Sequence, residues 1–187
     1  MTVKIVKTAL LMGILSATTV AHAEKFTVTS KDIAPGSTIK NEQVFNGFGC
    51  SGKNISPELS WSHAPAGTKS FALLVHDPDA PTGGAGWWHW GVVNIPATAA
   101  GLAAGAGTED GAALPAGSVQ LTTDFGKPGW GGPCPPVGNK PHHYNFTLYA
   151  LKVEKLDIPA DAKMSLAGFM INANALANAT FVGRYGR

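Results

Sequence analysis

The chain predicts a mainly β domain: antiparallel sheets packed as a sandwich with Greek-key connections, and one helix packed near the C-terminus. Three observations carry that prediction. Short segments alternate apolar and polar residues at the strand period of two. Glycine and proline, 23 and 13 of the 187 residues, separate those segments, as turns between strands require. A single stretch, Asp161–Ala177, holds helical apolar spacing, and no strand–helix–strand rhythm surrounds it.

The elements follow in order. Glu24–Ser30 (EKFTVTS) alternates and reads as a first, edge strand. Pro35-Gly36 is a turn, and Gly47–Pro57 is glycine-rich and irregular. Leu59–Trp61 is a short strand, ended by Pro65-Ala66-Gly67. Ser70–His76 (SFALLVH) is apolar on both faces, the pattern of a central strand between two layers. Trp88–Ile95 is its partner, with Trp88, Trp90 and Val92 on one face and His89, Gly91 and Val93 on the other. Thr98–Pro115, rich in alanine and glycine, reads as a long surface loop, and Ser118–Thr122 as a further strand. In the stretch Trp130–Leu151 (WGGPCPPVGNKPHHYNFTLYAL), glycine and proline build a stiff loop that feeds a strand. His142, Tyr144, Phe146 and Leu148 share one face of that strand, and His143, Asn145, Thr147 and Tyr149 the other. In the helix, Leu166, Phe169, Met170, Ala173 and Leu176 fall on the face expected to be buried, with Asp161 or Ser165 as cap. Thr180–Tyr185 closes the chain as a last strand.

Residues 1–23 read as a cleavable secretory signal instead of as fold. Lys4 and Lys7 precede an apolar run, Ala9–Val20, and Ala21-His22-Ala23 is a cleavage pattern before Glu24. The run is too short to span a bilayer, so a periplasmic or secreted location is expected, with residues 24–187 as one domain of 164 residues. Two lysines and no acid leave with the signal. Of the 14 basic and 12 acidic side chains, equal numbers then remain. With no basic cluster, nothing points to a nucleic-acid partner. Cys50 and Cys134 are the two cysteines. In an oxidising compartment a disulfide is expected of them rather than a metal site, two buried thiols being the alternative.

The polar residues that carry chemistry cluster in two stretches. His76–Asn94 (HDPDAPTGGAGWWHWGVVN) runs from an acidic strand end through a glycine loop into a strand bearing His89. Trp130–Leu151 has the same plan, with His142 and Tyr144 at its mouth. The expectation is that the two loops close on each other. Asp77 and Asp79 are then held in a proline turn, Pro81, Pro135 and Pro136 wall a small cavity, and Trp87, Trp88, Trp90 and Trp130 supply apolar bulk. His63, His76 and His143 read as structural, satisfying neighbouring backbone groups.

These two stretches resemble the signature regions of the phosphatidylethanolamine-binding protein family, and most closely its bacterial Raf-kinase-inhibitor-like (YbhB/YbcL) branch, whose secreted members carry two cysteines. SPELSW at Ser56–Trp61 and the ending FVGRYGR are similar too. The resemblance implies a small anion pocket that takes a phosphate-like group or a phospholipid headgroup. Its ligand-binding residues are Asp77, Asp79, Pro81, His89, Pro136, His142 and Tyr144. Eukaryotic members have glycine where Cys134 stands here, and many have a longer, basic loop at Gly83–Gly86. The resemblance also implies kinase- or protease-inhibitor-like signalling by binding, through an unidentified protein partner, and allows a homodimer. No cofactor and no metal are implied.

The chemistry of the residues agrees with such a pocket. Imidazole N–H groups, a tyrosine hydroxyl and loop amides donate to phosphate-like oxygens. Affinity is expected to fall as pH rises through the histidine range, about 6–7. The competing class is a phosphoester or other hydrolase that uses Asp77, Asp79, His89 and His142, with or without a metal. Against it, the chain has no G-x-S-x-G and no H-E-x-x-H. A non-catalytic binding protein is therefore the favoured reading.

Overall fold

The computed structural model describes residues 24–159 and 162–187. The expected signal and Asp161 lie outside the described residues. The elements are β1 (Thr27–Thr29), β2 (Asn46–Gly47), β3 (Cys50–Ser51), β4 (Leu59–Ser62), β5 (Ser70–Asp77), β6 (Trp87–Pro96), β7 (Gly101–Leu102), β8 (Val119–Gln120), β9 (His142–Leu151), α1 (Met164–Asn174) and β10 (Ala175–Tyr185). They form a five-stranded sheet of order β10-β9-β5-β6-β8, a three-stranded sheet of order β1-β4-β7, and the β2-β3 ribbon. All of their strand pairings are antiparallel. The fold is mainly β with one helix, the class expected from the sequence.

The layering follows from β5. Its residues are apolar on both faces because each face meets a different layer. Phe71, Leu73 and Val75 pack with Trp90, Val92, Phe146 and Leu148 against Phe26 and against Val28, Leu59 and Trp61 of the small sheet. Ala72 and Leu74 pack on the opposite side with Val93, Leu121, Leu151 and the helix residues Met164, Ala167 and Ile171. β1 lies at the edge of its sheet, as its polar alternation predicts.

The helix differs from expectation in two respects. It runs Met164–Asn174, shorter than Asp161–Ala177, and Lys163 stands at its N-cap without a side-chain cap bond, so Ser165 does not cap it. Its buried face is Met164, Ala167 and Ile171, whereas Leu166 is 43% and Phe169 71% exposed. Apolar residues are spread round this helix, and both stripes satisfy helical spacing. The sheet beneath selects between them, because Met164 fits over Gly91. A Cβ on Gly91 would stand 2.8 Å from its methyl carbon. At the C-terminal end, the last strand takes over directly from Ala175.

The Thr98–Pro115 segment is not wholly surface. It contributes β7, and Leu102 and Ala106 belong to the core. Gly107 is what admits it, since a Cβ there would lie 2.8 Å from Trp130 and 2.9 Å from Ser56. The strand expected at Ser118–Thr122 shrinks to the two residues of β8.

The face assignment along β6 is also corrected. Val75 pairs with Trp90 but His76 pairs with Trp88, so His89 is an extra residue, a β-bulge. The bulge turns His89 onto the side of Trp90 and leaves Trp88 on the helix side with Gly91 and Val93. Bulges commonly re-aim side chains beside functional sites.

Candidate functional site

The DPD turn and the alternation of β9 together produce two Asp–His pairs on opposite sides of one strand. Asp77 closes β5. Its Oδ1 accepts the backbone N–H of Asp79 at 2.8 Å, an Asx turn that fixes the carboxylate. Its Oδ2 accepts from Nδ1 of His142 at 2.7 Å, and both side chains are 4% exposed. One residue on, His143 points the other way. Its backbone N–H and its Nδ1 both meet Asp79 Oδ2 at 2.7 Å, with both side chains more than two-fifths exposed. Partial burial opposes ionisation of Asp79, but the bonds from His143 hold its carboxyl below the usual value. Asp77 thus faces inward with His142, and Asp79 straps the turn to β9 from outside.

His89 is held by the glycine loop. Gly131 N–H donates to the His89 carbonyl at 2.9 Å, and the Gly131 carbonyl accepts from His89 Nδ1. A side chain could not replace this glycine easily, because a Cβ would stand 2.3 Å from the Phe125 ring. Nδ1 is therefore the protonated nitrogen, and Nε2, with its lone pair, finds no partner among the described residues. Burial pushes the imidazole down to about 4, against the pull of the Gly131 carbonyl and of Asp77. At neutral pH His89 accepts hydrogen bonds at Nε2. The N–H donor expected of it is already engaged with Gly131.

The depressed value has a consequence for stability. Below about 6.5 the unfolded imidazole takes up a proton that the folded one refuses until about 4. Stability is present above this window and is lost as pH falls through it, on the order of 3 kcal/mol from this group. Urea unfolding at pH 7 and pH 4.5 is expected to show that loss, and His89→Gln to reduce it. A loss unchanged in the variant would sink the assignment to His89.

Tyr144 completes the inner face. Its ring meets that of His89 edge-on at 5.0 Å, and its buried hydroxyl has no partner at full hydrogen-bond geometry among the described residues, with the Asp77 carboxylate near it. Burial, then the Asp77 carboxylate, raises its pKa above the usual phenol value, so the proton stays on. A buried, unsatisfied donor is costly unless something else supplies the acceptor.

These groups surround one cavity of about 210 Å³. The first stretch contributes Asp77, Ala80, Pro81, Thr82, Trp87 and His89. The second contributes Cys134, Pro135, Pro136, His142 and Tyr144, and Phe48 and Phe125 close the rim. Six of the seven expected site residues meet here, and Asp79 does not line the cavity. Among the described residues, no lysine or arginine lines it either. Among the described residues, no group of three or more His, Cys, Asp or Glu side chains is placed to hold a metal. Of the expected tryptophans, Trp87 alone is a wall. Trp90 and Trp130 belong to the core behind it, and Trp88 packs on the other layer. His76 Nε2–H donates to the Ala85 carbonyl at 3.1 Å, and its ring packs at a tilt against Trp88. His63 pairs with Glu24. Neither lines the cavity.

Residues 29–186 match the family model described as phosphatidylethanolamine-binding protein. The chain belongs to the phosphatidylethanolamine-binding protein family. Among its relatives, YbcL of Escherichia coli K12 is 53% identical over 165 residues, covering 88% of this chain and 90% of YbcL. YbhB of the same organism is 45% identical over 156 residues, 83% of this chain and 97% of YbhB. The crystal structure of E. coli YbcL, described as a new member of the mammalian family, superimposes with a TM-score of 0.85 at 52% identity. It covers 88% of this chain and 99% of that one.

Within this family member, Cys50 and Cys134 form a disulfide with a Cα–Cα distance of 6.0 Å, and Cys134 is part of the cavity wall. The rim residues Phe48 and Phe125 were not foreseen. Phe45, Phe48 and Phe125 form one aromatic cluster, but they share no sequence period that would reveal it. Arg187 was missed as well. Its guanidinium donates to the carbonyls of Pro135, Gly49 and Phe48 at 2.7, 2.8 and 3.1 Å, and so clamps the two loops that the disulfide joins. A lone terminal arginine carries no sequence signal for such a role.

Proposed function

We propose that this chain is a non-catalytic binding protein, acting in the periplasm or outside the cell, whose cavity takes one small phosphate-like anion. The observation that carries the reading is the Tyr144 hydroxyl: a buried donor that keeps its proton and has no acceptor at full hydrogen-bond geometry among the described residues, although the Asp77 carboxylate lies near it, beside the Asp77–His142 pair in a cavity of about 210 Å³. The leader-like residues 1–23 and the disulfide support the location. The family likeness supports action on a protein target by binding.

The cavity chemistry favours binding over turnover. Thr82 is the one aliphatic hydroxyl in the wall, and it donates to the Gly86 carbonyl at 3.0 Å. Cys134 is committed to the disulfide. His142 is oriented by Asp77 as a catalytic base would be, but no side-chain nucleophile stands ready beside it. A water nucleophile or an added metal is what the hydrolase reading needs. Assay of a nitrophenyl phosphate with and without zinc tests it, and turnover abolished by His142→Ala would replace binding with hydrolysis.

Calorimetric titration with inorganic phosphate tests the proposal itself. Saturable one-site binding is expected, and Tyr144→Phe is expected to weaken it roughly 10- to 100-fold, the worth of one hydrogen bond to a charged group. Unchanged affinity in Tyr144→Phe would refute this assignment of the donor.

A further inference from the structure

We propose that the cavity selects a phosphate monoester in its singly ionised, P–OH-bearing form and discriminates against phosphodiesters, the form phosphate takes in a phospholipid headgroup. This rests on the anion-pocket reading above and names the ligand's protonation state and ester class. The argument is a count of donors and acceptors. Tyr144 offers an O–H that no acceptor among the described residues meets at full hydrogen-bond geometry, the Asp77 carboxylate being the acceptor near it. His89 offers a lone pair, because its Nδ1 proton is held by the Gly131 carbonyl. His142 is held through Nδ1 by Asp77, and its Nε2 stands 3.3 Å from Asn139 Oδ1. A ligand oxygen that only accepts satisfies Tyr144 but leaves His89 facing a second set of lone pairs. A P–OH group donates there and removes the conflict.

Charge selects in the same sense. The groups around His89 are Asp77 and His76 from β5, His142 and Tyr144 from β9, and Asp124 in the loop after β8. A doubly charged phosphate would meet the Asp77 carboxylate with no lysine or arginine among the described residues in the wall to offset it, whereas a monoanion carries half that repulsion. Burial keeps His89 neutral down to about 4, so its imidazole does not supply the missing positive charge near neutrality. Affinity is again expected to fall as pH rises, but with the ligand as its origin in place of the histidines, since the ligand's second proton leaves near pH 6.

Methyl phosphate and dimethyl phosphate separate the alternatives, since at pH 5 both are essentially monoanions and they differ in the P–OH group. Titration of the mature protein at that pH is expected to show methyl phosphate binding at least about tenfold tighter. Methyl phosphate affinity is then expected to fall close to tenfold per pH unit above the ligand's second pKa. In His89→Gln the amide N–H₂ can donate where Nε2 accepts, and the preference is expected to shrink to within about threefold. Equal or tighter binding of dimethyl phosphate, or methyl phosphate affinity that rises with pH, overturns the proposal while leaving the anion pocket standing. Binding of neither probe overturns the anion pocket and this inference together.

Discussion

His142→Ala is expected to cost about 3–5 kcal/mol, because it leaves the buried Asp77 carboxylate without the donor to its Oδ2. Asp77 and His142 are each 4% exposed, with 2.7 Å between Oδ2 and Nδ1. The remaining bond to Asp77, from the Asp79 N–H at 2.8 Å, does not replace a partner on the second oxygen. Asp77→Asn should cost less, since the amide is neutral and can keep a hydrogen bond to the ring. The double variant Asp77→Asn/His142→Ala should cost less than the sum of the single ones, with a coupling of at least about 1 kcal/mol. Urea unfolding of the four proteins at one pH checks this. Additive losses, or a loss below about 1 kcal/mol in His142→Ala, would show that solvent reaches the pair and that the cavity floor is not dry.

The second large effect is expected from opening the disulfide. Cys50 and Cys134 are 84 residues apart, and closing a loop of that length restricts the unfolded chain by about 4–5 kcal/mol in the chain-entropy model. The native loops have other ties. Arg187 reaches carbonyls on both, and Phe45 N–H donates to the Pro133 carbonyl at 3.1 Å. The cavity should therefore persist in Cys50→Ser/Cys134→Ser while the melting temperature falls by on the order of 10 °C. The fall should appear equally in the parent under reductant. A difference of under about 1 kcal/mol would mean that the unfolded chain is already compact there, and the entropic account would fail. Adding Arg187→Ala to the pair variant then isolates the clamp: phosphate affinity should drop further as the wall loosens, with little additional loss of stability.

Much of the fold could be read from local pattern. The alternation of β9 placed His142 and Tyr144 inward and His143 outward, and the observed burial follows it residue by residue. The two-sided apolar run of β5 announced a central strand between two layers. Such patterns survive folding because backbone pleat and side-chain direction are local properties. The helix face was misread because two stripes of MSLAGFMINAN satisfy the same period, and only the fit of Met164 over Gly91 separates them. The direction of His89 was misread for a related reason. A bulge is one extra residue relative to the partner strand, and it exists only once β5 and β6 are paired.

The candidate site divides along the same line. Local pattern together with the family resemblance was enough to name Asp77, the two imidazoles, the tyrosine and the prolines that meet at the cavity, because turn chemistry and strand period act within a few residues. Tertiary structure alone decided their roles. It split the DPD turn into one buried and one exposed Asp–His pair, committed the His89 proton to Gly131, buried the Tyr144 hydroxyl beside Asp77, brought Phe48 and Phe125 to the cavity and tied the flanking loops through Arg187. Protonation state and exposure depend on what stands across a gap from a group, and the groups that face Asp77 and His89 come from segments dozens of residues away.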